Sequence, residues 1–199
     1  MGLLRDFDLT LYGCDLYMET GTGMGVSLSK AIDHFAQCYS ADLDQEMIDL
    51  AKVQFPKAHF YHGLSTDALK AWLQQDFDPK SRILFYLDAH FPNADFRGAR
   101  YDVHAPHAVP LQEELGLIAK YRAGKSDFII CDDARIYHIG PFEHGNVEAL
   151  QVPGGMQFIY DLFPDSDITL DYREEGYILI SNKSNTFDVV AGEVGDQAK

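Results

Sequence analysis

The most informative local pattern in this chain is Tyr17-Met18-Glu19-Thr20-Gly21-Thr22-Gly23-Met24-Gly25. It is typical of a β-strand over 15–19 that runs through a glycine turn into a helix over 24–35, and a second strand is predicted over 38–41. Glycines allow a sharp turn and leave bare backbone against which a ligand can lie. The first N–H groups of the helix have no partner within the helix and point at that turn. The sequence therefore predicts a β-α-β unit that binds a ligand at its glycine turn.

Two acidic residues define the kind of ligand. Asp42 follows Gly21 by about 20 residues, the distance at which a dinucleotide-type fold places the carboxylate that hydrogen-bonds a ribose. Glu19 comes two positions before the first glycine, and the glycines have the spacing G-x-G-x-G rather than G-x-G-x-x-G. A carboxylate at Glu19 would repel a pyrophosphate and suits a cationic ligand. A glycine turn without any ligand is the alternative interpretation.

The pattern E-x-G-x-G-x-G at the end of a first strand resembles motif I of the class I S-adenosylmethionine (SAM) dependent methyltransferases. The resemblance extends over about residues 15–181 and implies that SAM is the cofactor. Glu19 would hold its methionine amino group, Asp42 its ribose and Ser65 its adenine edge. Leu64 departs from the pattern, because methyltransferases often carry an acid there. The implied cofactor-binding residues are Glu19, Thr20, Gly21, Thr22, Gly23, Gly25, Asp42, Leu43, Ser65 and Asp88.

Strands and helices alternate along the rest of the chain, which predicts an α/β fold. The run Ile83-Leu84-Phe85-Tyr86-Leu87 is typical of a central parallel strand covered on both faces. Other strands are predicted over 59–62, 128–131, 168–172 and 177–181. Helices are predicted over 45–55, 111–122 and 155–163, and a further helix, capped by Ser65 or Thr66, should end at Leu73. Asp44 is the expected N-cap of the helix over 45–55. We expect a Rossmann-like, doubly wound, mostly parallel seven-stranded sheet with a C-terminal antiparallel hairpin.

The whole chain, 1–199, is predicted to be a single domain. It would comprise a lead-in over 1–14, a lid loop over 91–109 that recognises the acceptor, and a polar tail over 183–199. Met18, Met24 and Met47 are expected to lie in the core.

Acidic residues also end the fourth and fifth predicted strands. Asp88 follows the strand over 83–87, and Asp132 and Asp133 follow the strand over 128–131. Parallel strand ends meet at one edge of a sheet, and clustered carboxylates suit Mg²⁺ or another divalent cation. The trio is similar to the metal ligands of metal-dependent O-methyltransferases, although Asp133 stands where those enzymes carry Asn. The predicted metal ligands are Asp88, Asp132 and Asp133; the alternative is that an aspartate caps a loop or pairs with Arg135.

The predicted catalytic residues are His90, Asp88 and Arg135. Imidazole titrates near neutrality, so His90 is the most plausible general base. A histidine bonded to a backbone carbonyl is the alternative. Glu114 either complements the dipole of the helix over 111–122 or points inward, toward Arg135 or the cation site.

Composition limits the partners. The net charge is −15 and the isoelectric point about 4.7, which argues against nucleic acid and anionic membranes. The three cysteines, Cys14, Cys38 and Cys131, are widely spaced and expected to be free thiols in a reducing compartment. The N-terminus reaches Asp6 too soon for a signal peptide, so a cytoplasmic location is expected. The expected partner is a small-molecule acceptor, and a homo-oligomer is left open.

These observations predict a SAM-dependent methyltransferase that acts on a hydroxyl of a small molecule, with or without a divalent cation. A non-catalytic SAM or nucleoside sensor is the first alternative. An NAD-dependent oxidoreductase is the second, and Glu19 and the short glycine spacing count against it.

Overall fold

A computed structural model describes residues 4, 7–90, 95–96, 99–100, 107–148 and 151–182. Its strands are β1 Leu16–Thr20, β2 Gln37–Asp42, β3 His59–His62, β4 Ile83–Leu87, β5 Asp95–Phe96, β6 Ala99–Arg100, β7 Phe128–Asp132, β8 Ser166–Asp171 and β9 Tyr177–Asn182. Seven of them form one sheet in the order β3-β2-β1-β4-β7-β9-β8, and β5 and β6 form a separate antiparallel ladder.

The seven-stranded sheet is mostly parallel. β1 pairs in parallel with β2 and β4, and parallel pairing continues from β2 to β3 and from β4 to β7. β9 is antiparallel to both of its neighbours, β7 and β8. The connection between β8 and β9 is too short for a crossover, so the pair forms a hairpin at one edge of the sheet. The predicted fold class is confirmed.

Helices cover both faces of the sheet. They are α1 Val26–Ala31, α2 Gln45–Gln54, α3 Ser65–Leu73, α4 Leu111–Tyr121 and α5 Gln157–Leu162. Because side chains alternate along a strand, Met18 joins a core with α3, α4 and α5, whereas Tyr17 joins a second core with α1 and α2. The central strands β1, β4 and β7 are thus buried on both sides, and their ends remain available to form a site.

Local sequence signals were right for some helix ends and wrong for others. Asp44 caps α2 as predicted, since its side chain accepts from the N–H of Glu46 at 2.8 Å. The predicted Ser65 or Thr66 cap is wrong: Ser65 is the first helical residue of α3, and Leu64 occupies the cap position without a side-chain hydrogen bond. The first helix is shorter than predicted and ends at Ala31, because the chain continues as a turn over 32–34.

The methionines divide between core and surface. Met18 and Met47 are buried as predicted. The prediction for Met24 is wrong, because this residue lies in the glycine turn before α1 and is 51% exposed. The buried Cys38 and Cys131 and the partly exposed Cys14 are free thiols, as expected.

The polar tail over 183–199 falls outside the described residues, and of the lid loop only 95–96, 99–100 and 107–109 are described. Most of the lead-in is described, and it contains a short 3-10 helix over Leu9–Tyr12. Within the described ranges, no helix is both long enough and apolar enough to cross a bilayer.

Candidate functional site

The glycine turn is tightly packed at one residue and open at another. Gly21 has φ +85°, and a Cβ there would lie 2.2 Å from the carbonyl oxygen of Asp88. Its N–H donates to the carbonyl of Ala41 at 2.8 Å. Gly23 has φ +48°, but a Cβ there would meet nothing within 4 Å. The turn is therefore held between the ends of β1, β2 and β4, while its backbone at Gly23 faces open space.

Asp42 closes one side of this open space. Its Oδ2 accepts from the N–H of Gly23 at 2.8 Å, and its Oδ1 accepts from the N–H of Asp44 at 2.9 Å. Burial raises the pKa of Asp42. Two apolar side chains are exposed nearby in sequence: Leu43, at 37%, and Met24. Bare backbone, a fixed carboxylate and apolar surface together suit a ligand with both a sugar-like and an aromatic part.

Glu19 lies at the same end of the sheet, but its side chain is fully buried. Its Oε2 accepts from the hydroxyls of Tyr17 and Ser27 at 2.7 and 2.6 Å, and its Oε1 accepts from Ser40 at 2.6 Å. Ser40 and Thr22 are joined by a further hydrogen bond of 2.6 Å. Glu19 thus ties β1, α1, β2 and the glycine turn together. Its direct contact with a methionine amino group stays a prediction.

We expect the stability of the protein to fall as pH rises through the titration of Glu19. Burial raises the pKa of Glu19 to about 7, against 4.5 for an ordinary glutamate, although the hydroxyls around it partly oppose the shift. Between these two values the folded chain binds more protons than the unfolded chain, so the free energy of unfolding falls as pH increases. The Glu19→Gln variant lacks this pH-dependent contribution. The free energy of unfolding of the variant minus that of wild type should therefore be larger at pH 8 than at pH 5, by roughly 2–3 kcal/mol.

Urea unfolding of both proteins across this pH range measures the difference. The exposed residue Glu113 offers a control, since Glu113→Gln makes the same chemical change and should leave the wild-type slope intact. Parallel pH profiles for wild type and Glu19→Gln would contradict the burial argument.

A second group of polar residues lies at the ends of β4 and β7. The hydroxyl of Tyr86 donates to Oδ2 of Asp132 at 3.1 Å and lies 3.4 Å from Oδ2 of Asp88. Asp133 has φ +57°, a left-handed conformation that is uncommon outside glycine and often found at functional sites. Burial, followed by the charges of Asp132 and Asp133, raises the pKa of Asp88 well above its usual range.

His90 is held by a carboxylate in this group. Its Nε2 lies 2.8 Å from Oδ2 of Asp133, and its Nδ1 lies 3.8 Å from Oδ1 of Asp88. Arg135 donates from Nε to the other oxygen of Asp133 at 2.7 Å. Burial alone would lower the pKa of His90, but the bond to Asp133 and the charges of Asp133 and Asp132 raise it overall. The three predicted catalytic residues are thus brought together, with Arg135 acting on Asp133.

The predicted metal ligands lie together, but other groups occupy their oxygens. Asp133 is shared by His90 and Arg135, and Asp132 accepts from Tyr86 and from the N–H of Asp133. In the described part of the chain, no group of three or more His, Cys, Asp or Glu side chains is arranged to hold a metal ion. A divalent cation at this place stays a prediction.

A narrow cleft opens beside His90, between the ends of β4 and β7 and the start of α4. Its apolar walls include Leu87, Pro110 and Leu111, and its polar lining is His90, Glu114, Asp132 and Tyr137. Glu114 points inward and is only 1% exposed, which decides between the two orientations left open by the sequence. No sequence pattern singles out Tyr137, which reaches the cleft because the chain turns after β7.

Ser65 lies at the start of α3 and is buried. Its hydroxyl and that of Thr20 are close enough to the Glu114 carboxylate to oppose the rise of its pKa that burial causes. The predicted contact between Ser65 and an adenine stays a prediction.

Comparisons with known proteins support the assignment of the fold. No protein-family model matches the chain, and no curated protein matches its sequence. Solved structures of methyltransferases do share its fold. A SAM-dependent methyltransferase from Archaeoglobus fulgidus is 15% identical with a TM-score of 0.54, over 90% of this chain and 91% of that one.

Two further structures have similar scores. A methyltransferase from Geobacter sulfurreducens is 14% identical with a TM-score of 0.54, over 87% of this chain and 76% of that one. A Staphylococcus aureus protein assigned as a caffeoyl-CoA O-methyltransferase is 10% identical with a TM-score of 0.53, over 87% of this chain and 78% of that one. The chain therefore has the fold of the class I SAM-dependent methyltransferases.

Proposed function

We propose that this protein binds SAM at its glycine turn and transfers the methyl group to a hydroxyl of a small molecule. The observation that carries the proposal is the direct contact between the two halves of the site. Gly21 of the turn packs against the backbone of Asp88, two residues before His90. A ligand on the turn and a group held by His90 would therefore be neighbours.

The turn suits SAM on three counts. The backbone at Gly23 is open, Asp42 offers a carboxylate beside it, and Leu43 and Met24 expose apolar surface. Asp42 would hold the ribose, the backbone over 20–25 would follow the methionine part, and Leu43 would face the adenine. When bound, SAM supplies an electrophilic methyl group on its sulfonium.

His90 is placed to take the proton of the acceptor hydroxyl. The pKa of Asp133 is lowered: burial would raise it, but the hydrogen bond and charge of His90 and the charge of Arg135 outweigh that effect. Asp133 is therefore ionised and can only accept, so Nε2 of His90 carries the hydrogen in their bond. The lone pair is then on Nδ1, which can receive the proton. Asp133 stabilises the imidazolium that results, as a carboxylate does beside other catalytic histidines.

The cleft beside His90 is the proposed site of the acceptor. Leu87, Pro110 and Leu111 give it apolar walls, which would exclude water from the reacting oxygen. The acidic composition of the chain disfavours a nucleic acid as the acceptor. The caffeoyl-CoA O-methyltransferase assignment of one structural neighbour is consistent with transfer to oxygen.

Methyl transfer from labelled SAM to a panel of small alcohols, phenols and diols tests the proposal. The assay should be run with EDTA and, separately, with MgCl₂. We expect at least one hydroxyl compound to be methylated, and transfer in EDTA would show that the reaction needs no divalent cation. A requirement for Mg²⁺ would support the predicted metal site instead. SAM binding without transfer to any acceptor would contradict the proposal and favour a sensor.

A further inference from the structure

Two buried polar atoms in the cleft lack a protein partner. Among the residues that the structure describes, neither Oε1 of Glu114 nor the hydroxyl of Tyr137 has a hydrogen-bond partner. Glu114 is 1% exposed and Tyr137 is 4% exposed, and both line the cleft. Buried polar atoms are rarely left unpaired, because each has lost its hydrogen bonds to water. The closed end of the cleft therefore offers an acceptor and a hydroxyl to whatever enters it.

The groups around this end of the cleft favour a cation. Four carboxyl groups, those of Asp88, Glu114, Asp132 and Asp133, lie around one imidazole and one guanidinium. Both of these basic groups, on His90 and Arg135, already pair with Asp133, so neither is left for Glu114. Burial raises the pKa of Glu114, and the charge of His90 and the nearby hydroxyls of Ser65 and Thr20 only partly oppose it. A carboxylate in this position gains most from a positively charged donor.

We propose that Glu114 receives a protonated primary amine that enters the cleft past His90 and donates a hydrogen bond to Oε1. The proposal rests on the proposed function, because it takes this cleft as part of the methyl-transfer site. An ammonium group brings both a donor and a positive charge, whereas a neutral alcohol brings a donor alone and a carboxylate would be repelled. The apolar walls would hold the body of the ligand.

Such an ammonium group has two sources. It is either part of the acceptor, which would then be a hydroxylated amine, or it is the amino group of the methionine part of SAM. In the second case Glu114 takes the role that the sequence predicts for Glu19, whose carboxylate is enclosed by three hydroxyls.

Calorimetric titrations of wild type and Glu114→Gln test whether Glu114 receives an ammonium group and which ligand carries it. For the acceptor, tyramine is compared with para-propylphenol, which has a similar shape but no charge. For the cofactor, S-adenosylhomocysteine is compared with its deaminated analogue, S-(3-carboxypropyl)-thioadenosine, which keeps the carboxylate and lacks only the amino group. In wild type, we expect the amine-bearing compound of one of the two pairs to bind about tenfold more tightly than the compound without an amine. In Glu114→Gln this preference should fall to about twofold or less.

Glu113→Gln is the matched control, since this exposed acid lies next to Glu114 in the same helical turn. It should keep the wild-type preference, and thermal unfolding should confirm that both variants are folded. Loss of preference for tyramine assigns the ammonium to the acceptor, and loss for S-adenosylhomocysteine assigns it to the cofactor. Equal binding within both pairs in wild type would overturn the inference without any variant, as would preferences that survive Glu114→Gln.

The tyramine titrations need no cofactor, so they also separate this inference from the proposed function. A Glu114-dependent preference for tyramine in a protein that fails to bind SAM would uphold the inference and end the proposed function. Methyl transfer to neutral alcohols, with no amine preference in either pair, would uphold the proposed function and end the inference.

Discussion

Replacing His90 with asparagine is expected to lower the rate of methyl transfer by a factor of about 10²–10⁴, the usual contribution of a general base. Asparagine has about the right size and can still donate to Asp133, but it cannot take the proton of a hydroxyl. Because His90 is not among the residues proposed to hold SAM, the affinity for SAM should change by about twofold or less. Single-turnover kinetics and SAM titration of the same preparation measure the two quantities.

His34→Asn is the matched control, because His34 is exposed after α1 and its loss should leave the rate unchanged. In wild type, kcat/KM should rise with pH as His90 loses its proton. The midpoint should lie above 6.5, because the pKa of His90 is raised. In Asp133→Asn the midpoint should move to lower pH, since burial, which lowers the pKa, then acts with less opposition. An unchanged rate in His90→Asn, or the same midpoint in both proteins, would exclude His90 as the base.

Adding one methyl group at Gly21 or at Gly23 is expected to have opposite consequences for folding and binding. At Gly21 a Cβ would meet the carbonyl oxygen of Asp88 at 2.2 Å, at a φ of +85°. Backbone cannot move away as a flexible side chain can, so Gly21→Ala should lose about 3 kcal/mol or more of stability. Gly23→Ala should lose only about 1 kcal/mol of stability, the cost of a non-glycine residue in a left-handed conformation, because its Cβ would meet nothing within 4 Å.

The Gly23 methyl group would instead occupy the backbone face proposed for SAM. We expect SAM affinity to fall roughly tenfold or more, in line with the usual cost of overpacking. Gly124→Ala is the control: it has a φ of +72° and also meets nothing within 4 Å, but it follows α4. It should show a similar loss of stability and unchanged SAM affinity. Equal SAM affinities of Gly23→Ala and Gly124→Ala would contradict the proposed place of the cofactor.

Local patterns were sufficient to predict the sheet and the edge that carries the site. The apolar run of β4, the glycine turn and the acids that end β2, β4 and β7 are all short-range signals, and parallel topology brings strand ends together. Asp42 and the group around His90 were found in this way. Each of these predictions needed only the residue's position at the end of a strand.

The surroundings of individual side chains could not be predicted. Glu19 was expected to face a ligand, yet it is enclosed by hydroxyls from α1 and β2, and no short-range pattern pairs it with Ser27 or Ser40. The unpaired atoms of Glu114 and Tyr137 depend on how α4 and the chain after β7 meet. Such contacts are fixed by tertiary packing, which periodicity does not describe.

Calorimetric titration of SAM into the wild-type protein tests whether the glycine turn is a cofactor site. An open glycine backbone flanked by the Asp42 carboxylate should give saturable one-to-one binding, and the same titration should be markedly weaker with Gly23→Ala. The absence of any binding heat at millimolar SAM, from protein shown by thermal unfolding to be folded, would contradict the account.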